Sequence, residues 1–287
     1  MKMKMIAVLT GILGLGGVGA ASAADMAVKA RPLPPPPPIL TWAGFYGGIN
    51  LGGNWGTSDE TLDVTSAGSF FGAVCFPPTN ACTVNVVDVR RAGAQGFDTS
   101  GFTGGGQIGY NWQAGAAVFG IEADFDYFRS AGSGLRAVTL VSGVPGTVTV
   151  AESMSTDWLF TLRPRIGWAV NNWLFYGTGG LAVSNLRSAW TFRETPFGNV
   201  AANSVSDTKV GWTAGAGVET KFAGGWSLGL EYLFVHFDNI SQTVPVVLPL
   251  GGGAIPQNFS HSADLDSNIV RVKLNYFFSP GPVVAKY

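Results

Sequence analysis

The sequence predicts an all-β fold: an eight-stranded antiparallel transmembrane β-barrel of the outer membrane, with long extracellular loops and short periplasmic turns. Three observations predict it. Stretches of about ten or more residues alternate apolar with small or polar side chains, the period of a strand with two unlike faces. The connections between these stretches alternate long and short along the chain, as in barrels that keep short turns on the periplasmic side. The composition is 46% hydrophobic and 12% aromatic with 41 glycines, yet only 12% charged, against about 25% charged in an ordinary soluble domain.

The N-terminus is a separate matter. Lys2 and Lys4 precede an apolar run from Met5 to Ala20, which ends in Ala21-Ser22-Ala23. A charged start, a short apolar core and an A-x-A pattern predict a signal peptide over 1–23, cleaved after Ala23. No later run approaches the ~20 apolar residues that a spanning helix needs. Residues 24–40 contain five consecutive prolines, Pro34 to Pro38. They favour an extended polyproline II rod and are read as a periplasmic spacer. The barrel is placed at 41–278 and a periplasmic tail at 279–287.

The first strand is predicted over Trp42–Trp55, with Phe45, Ile49, Leu51 and Trp55 on one face and Tyr46, Asn50 and Asn54 on the other. A long loop with both cysteines follows. The second strand, Thr99–Gln113, sets Phe102, Ile108, Tyr110 and Trp112 against Thr103, Gln107 and Asn111. Ala114-Gly115 turns into the third, Val118–Arg129, where Phe119, Ile121, Phe125 and Tyr127 alternate with Glu122, Asp124 and Asp126. The fourth, Asp157–Val170, alternates Phe160, Leu162, Ile166 and Trp168 with Thr161, Arg163 and Arg165. Asn171-Asn172 is a hairpin turn, because asparagine tolerates positive φ. The fifth strand is Trp173–Arg187, with less distinct faces. The sixth, Lys209–Phe222, opposes Val210, Trp212, Val218 and Phe222 to Lys209, Thr213, Glu219 and Lys221. Ala223-Gly224-Gly225 turns into the seventh, Trp226–Asp238, which carries Glu231. The eighth, Leu265–Phe278, sets Val270, Val272, Leu274, Tyr276 and Phe278 against Arg271, Lys273 and Asn275.

Alternation alone also suits a soluble sandwich. These strands exceed the ~5–6 residues usual in soluble sheets and meet the ~9–11 that cross a bilayer at a tilt. Closure then follows, because an open edge in hydrocarbon would leave backbone N–H and C=O groups unpaired at several kcal/mol each. Trp42, Trp55, Trp112, Trp168, Trp173, Trp226 and Tyr276 fall near strand ends, where interfacial aromatic girdles form. Pro164 sits inside the fourth strand and cannot donate to the ladder, so a bulge or a locally widened pair is expected there.

The face opposite the lipid holds Glu122, Asp124, Asp126, Arg163, Arg165, Glu219, Lys221, Glu231, Arg271 and Lys273. An eight-stranded barrel has an interior that side chains nearly fill. Mixed signs in such a space predict paired charges and a plugged lumen, whereas a selective pore would show a ring of one sign. The reading is a structural surface barrel; the alternative is a narrow channel for ions or small solutes, and a surface enzyme is a third, remote class.

No residue set is read as a catalytic, cofactor or metal site. Gly104 to Gly109 matches a dinucleotide-binding pattern, but no helix follows it, and the glycines suit close strand contact. His236 is placed at the outer end of the seventh strand and His261 in the last loop, neither beside a nucleophile motif. Cys75 and Cys82 form a candidate disulfide closing a small loop in an oxidising compartment. The net charge of -1 argues against nucleic acid as a partner.

Several segments also resemble a known family. They are Trp42-Ala43-Gly44-Phe45-Tyr46-Gly47-Gly48, Gly105 to Asn111, Gly120 to Asp124, Arg165-Ile166-Gly167, Gly179 to Ala182 and Val270 to Tyr276. They are similar to strands of the alphaproteobacterial outer-membrane immunogenic proteins, small porin-family barrels related to the OmpA-type transmembrane domain. The resemblance implies a surface protein that supports envelope integrity and host contact, with no catalytic residues. Its partners would be outer-membrane lipid and lipopolysaccharide, the barrel-insertion machinery, and surface ligands at the loops. Barrels of this kind usually end in an aromatic residue that the insertion machinery reads. Here Phe278 and Tyr287 are the two candidate assembly signals, separated by Ser279-Pro280-Gly281-Pro282.

Overall fold

The computed structural model describes residues 41–66, 75–76, 81–82, 86–140, 146–196, 198–250 and 253–278. The expected signal peptide, the proline-rich spacer and the tail with Tyr287 lie outside these residues.

In chain order the elements are β1 (Gly44–Ser66), β2 (Cys75–Phe76), β3 (Ala81–Cys82), α1 (Val86–Gly93), β4 (Gln95–Ala114), β5 (Ala117–Phe128) and β6 (Ala131–Thr139). Then follow β7 (Thr147–Val170), β8 (Trp173–Glu194), β9 (Val200–Lys221), a 3-10 turn at Ala223–Gly225, β10 (Trp226–Leu250) and β11 (Gly253–Phe277). All main-sheet pairings are antiparallel. Hydrogen bonding runs β1-β11-β10-β9-β8-β7-β5-β4 and returns from β4 to β1. The eight strands therefore close a ring. β6 continues β5 along the same neighbour: β5 pairs with β7 from Ala117↔Trp168 to Tyr127↔Trp158, and β6 from Ala131↔Ser155 to Thr139↔Thr147.

The short turns sit where the sequence places them, on residues suited to left-handed backbone. Asn171 has φ 55° and Gly115 φ 61°; Gly224 and Gly225 have φ 79° and 83°. Glycine is also required where the wall is tight. A Cβ on Gly105 would stand 2.2 Å from the Phe125 carbonyl oxygen, and one on Gly109 would stand 2.2 Å from the Tyr46 hydroxyl.

Two details depart from the sequence reading. No register shift occurs at Pro164. The β7–β8 register is the same at Leu162↔Leu181 and Arg165↔Thr178, with only the intervening pairs missing. Pro164 faces outward and its carbonyl accepts a hydrogen bond from the Thr178 hydroxyl at 2.9 Å. Arg163 and Pro164 have no partner on β8 in the ladder, and the register shift of β7 lies between Thr156 and Leu159. The missing N–H falls on a locally open rung, so the chain has no need to insert a residue.

Second, seven of the eight strands continue beyond their expected outer ends, the third being followed after a break by β6, and much of the supposed loop sequence is paired ladder. The β10–β11 hairpin stays paired up to Leu250↔Gly253, with one register shift between Phe237 and Ile240, and β1 stays paired with β11 up to Ser66↔Gln257. The outer faces explain why lipid-based alternation misses this. On β1 the outward residues Phe45, Ile49, Leu51 and Trp55 give way to Thr57, Asp59 and Thr61. On β7, Trp158 gives way to Ser155, Ser153 and Thr149; on β11, Val270 gives way to Asn268, Asp266 and Asp264. On these strands the outward apolar band ends, and above it the outer face meets water, where polar residues cost nothing, while Leu62, Val64, Val148 and Val150 still point into an apolar interior.

The inward face is layered. At the periplasmic end Trp42, Tyr46, Val118, Leu174, Tyr176 and Phe277 pack together. Above the charged residues lies an apolar layer including Phe128, Met154, Leu186, Leu233, Phe237 and Leu265. Near the outer end Leu62, Val150, Trp190, Phe192 and Phe259 form another, closed on one side by Val89 and Ala92 of α1. The helix is tied to β1 by Arg90, which donates to both carboxylate oxygens of Asp63 at 2.7 and 2.9 Å. That guanidinium holds the Asp63 carboxyl below its usual range.

Candidate functional site: the charged layer of the bore

Period-two alternation sends every second side chain of each strand into the bore. In β5 this delivers Glu122, Asp124 and Asp126; in β7 Arg163 and Arg165; in β9 Glu219 and Lys221; in β10 Glu231; in β11 Arg271 and Lys273. All ten sequence-predicted charges are buried, the most exposed being Lys221 at 7%. They comprise five carboxylates and five cations, so the layer carries no formal net charge when all are ionised.

Nine of the ten interlock. Arg163 donates to Glu122 at 2.8 Å and to Asp124 at 2.7 Å from the same nitrogen, with its other terminal nitrogen 3.3 Å from Glu231. Arg271 spans three carboxylates: Asp126 at 2.6 Å, Glu231 at 2.7 Å and Asp124 at 3.2 Å. Lys273 bridges Glu122 at 2.5 Å and Glu231 at 3.2 Å. Arg165 reaches Glu219 at 3.0 Å and Glu122 at 3.4 Å. Several of these pairs cross the ring: β11 and β5 are not neighbours, yet Arg271 meets Asp124 and Asp126. Lys221 stands apart. Its ammonium donates to the Thr41 carbonyl and lies 3.5 Å from the centre of the Phe277 ring, a cation–π seat at the periplasmic cap.

Neutral groups complete the layer, and the sequence reading had not counted them as members. Tyr46 donates to Glu122 at 2.7 Å and Tyr176 to Glu231 at 2.8 Å. The Arg165 guanidinium stacks between the two rings, at 4.7 and 5.0 Å. Asn50 donates to Asp126 at 2.7 Å, Thr161 to Asp124 at 2.6 Å, and Asn111 accepts from Arg165 at 2.9 Å. The available signal was their position: each shares the inward phase of the charged residues.

A second polar cluster lies higher, beyond the apolar band. It joins Glu60 of β1, Glu152 of β7 and His261 of β11, all buried. His261 is therefore not a loop residue, as the sequence suggested, but an inward strand residue, because β11 begins at Gly253. Burial pushes the Glu152 carboxyl up to about 8, and Glu60 adds to the rise. His236 is outward on β10, with Asp266 at 2.5 Å and Asp238 at 3.1 Å. Backbone pairing sets Cys75 opposite Cys82; their side chains lie outside the described residues. Phe278 packs against Phe45 in a tilted contact and against Tyr276 edge-on, with ring centres 5.7 and 5.0 Å away.

Comparison with known proteins places this geometry. The 31 kDa outer-membrane immunogenic protein of Brucella melitensis is 33% identical over 190 residues, 65% of this chain and 70% of the relative. The 25 kDa outer-membrane immunogenic protein of Brucella canis is 24% identical over 258 residues, 88% of each chain. The 22 kDa outer membrane protein of Rhizobium leguminosarum bv. viciae is 30% identical over 146 residues, 50% of this chain and 57% of the relative. Among solved structures, the Escherichia coli outer membrane protease OmpT overlaps at a TM-score of 0.42 with 9% identity, covering 82% of this chain and 97% of that one. That overlap says nothing of activity. The family model described as outer membrane protein beta-barrel domain matches residues 11–278, and the chain belongs to that family of outer-membrane β-barrels.

Proposed function

We propose that this barrel is a structural surface protein of the outer membrane whose lumen is closed to general solute flow by its charged layer. The observation that carries the reading is the arrangement of five buried carboxylates and five buried cations across one level of the bore. A conducting path must hold water, and a filter built from charged side chains uses a ring of one sign. Here Arg163, Arg271 and Lys273 each contact carboxylates on more than one strand, which ties the wall together across its own diameter. Opening a path would require separating buried pairs, at about 3–5 kcal/mol for each partner left alone.

The outer half supports the surface role. Paired strands carry Thr57, Asp59, Ser153, Thr149, Asp264 and Asp266 on their outward faces above the apolar band. A rigid polar collar of this kind presents epitopes and contact surface, consistent with relatives named immunogenic proteins. Enzymatic action is not part of the proposal, since neither histidine has a hydroxyl or thiol nucleophile among its hydrogen-bond partners within the described residues.

Planar-bilayer recording tests the closed lumen. Native protein should show little or no conductance, and Arg163→Ser with Arg165→Ser should raise it. Large, steady native channels would replace this reading with the narrow-channel alternative.

A further inference from the structure

We propose that Glu60, Glu152 and His261 form a buried site for one divalent first-row transition-metal ion of the Zn2+ type, which staples the extracellular half of the barrel. The proposal does not depend on whether the lumen conducts.

The three residues come from three strands. β1 and β11 are neighbours, and β7 approaches from across the ring. Each side chain points inward and is at most 2% exposed. One ligand atom from each can be chosen so that all three lie within 4.8 Å of one another. The His261 Nε2 is 3.0 Å from Glu60 Oε2. Neither carboxylate oxygen of Glu152 has a hydrogen-bond partner, and His261 Nδ1 has none either.

The surroundings make that vacancy of partners significant. Along each strand the neighbours on the same face are largely apolar. Glu152 stands between Val150 and Met154, and His261 between Phe259 and Ala263. Leu62 follows Glu60. The cluster is thus a polar layer enclosed between two hydrophobic ones. Even a protonated His261 would leave two carboxylates against one positive charge, and no Lys or Arg pairs with Glu60 or Glu152 in the described residues. In the charged layer below, every carboxylate faces at least one cation. Here the pattern fails, at the one place among the described residues where three metal-ligating side chains converge.

The donor set selects the ion. One imidazole nitrogen and two carboxylates suit Zn2+ and its first-row neighbours. Ca2+ takes six to eight oxygens, and Mg2+ keeps several waters and an octahedral shell; three protein ligands in an apolar enclosure serve neither well. A divalent ion would neutralise both carboxylates and tie β1, β7 and β11 together. Enclosed above and below, it would load as the barrel folds and leave slowly afterwards.

The test uses the full-length protein refolded in detergent after chelation. Zn2+ is titrated by calorimetry and metal content is measured after gel filtration. One Zn2+ per chain is expected. Glu152→Gln and His261→Gln should each weaken binding by about 100-fold or more, beyond the 10–100-fold that outer-shell partners produce. His236→Gln should bind as the native protein does. Heat-modifiable migration verifies that each variant is folded. Zn2+, but not Mg2+, should raise the unfolding temperature of the native protein and leave Glu152→Gln unchanged. Absence of stoichiometric Zn2+ in folded native protein would overturn the proposal. So would equal Zn2+ binding by folded Glu152→Gln, or a Glu152→Gln variant more stable than a native protein that takes up no metal, which would mean that the two carboxylates share a proton instead.

Discussion

Replacing Arg271 by methionine removes one of the two cations that each touch three carboxylates, the other being Arg163, and leaves an unbranched apolar side chain. Its consequences can be followed group by group. Asp124 keeps Arg163 at 2.7 Å, and Glu231 keeps Lys273 at 3.2 Å and Arg163 at 3.3 Å. Asp126 has no other cation and retains only the Asn50 amide at 2.7 Å. One carboxylate is therefore stranded in the bore, with four cations left to five acids. Breaking a buried pair from one side costs about 3–5 kcal/mol. With a urea dependence of about 1–3 kcal/mol per molar, the midpoint should fall by at least about 1 M. The assay is urea unfolding in lipid vesicles, followed by tryptophan fluorescence and by the gel shift between folded and boiled protein. Adding Asp126→Asn to Arg271→Met removes the stranded charge and should restore most of the loss, since contacting residues couple strongly. A single-variant loss below about 1 kcal/mol, or a double variant as unstable as the single, would show that the interlocked charges do not hold the barrel together.

Other expectations are simpler to check. Unheated protein should migrate differently from boiled protein on a detergent gel, with a β-rich circular dichroism spectrum; a helix-rich spectrum contradicts the ring. Gly109→Val places side-chain atoms against the Tyr46 hydroxyl and should cost about 1–3 kcal/mol by overpacking, with denaturant midpoints as the measure. Asp63 is held below its usual range by Arg90, so its hold on α1 is complete above the ordinary carboxylate pKa of about 4 and is lost as pH falls through the lowered value. Hydrogen exchange in α1 should rise in acid, and Asp63→Asn should show that higher exchange already at neutral pH. Deleting Val283 to Tyr287 should slow insertion in cells and leave refolding in detergent unchanged, whereas Phe278→Asp, which puts a charge on the outward strand end, should impair both; normal insertion of the deletion rules out docking by Tyr287.

The sidedness of the wall was legible in the chain because it is a local property. A strand turns each successive side chain to the opposite face, so Glu122, Asp124 and Asp126 had to share a face, and Arg163 with Arg165 likewise, whatever the rest of the fold did. The turns at Gly115, Asn171 and Gly224 were legible for a similar reason, since few residues accept their backbone angles. What the chain could not show is who meets whom across the bore. Arg271 finds Asp124 and Asp126 only because eight strands close at one stagger, and that stagger depends on pairings between residues more than a hundred positions apart. The length of the outer strands was hidden too. Once lipid no longer selects apolar residues on the outside, the exterior alternation fades into polar sequence that reads as loop, and only the backbone pairing of neighbours reveals the ladder. His261 was placed in a loop on those grounds. Closure of the ring brings it to Glu60 and Glu152, because curvature converges inward side chains from strands that the sequence keeps far apart.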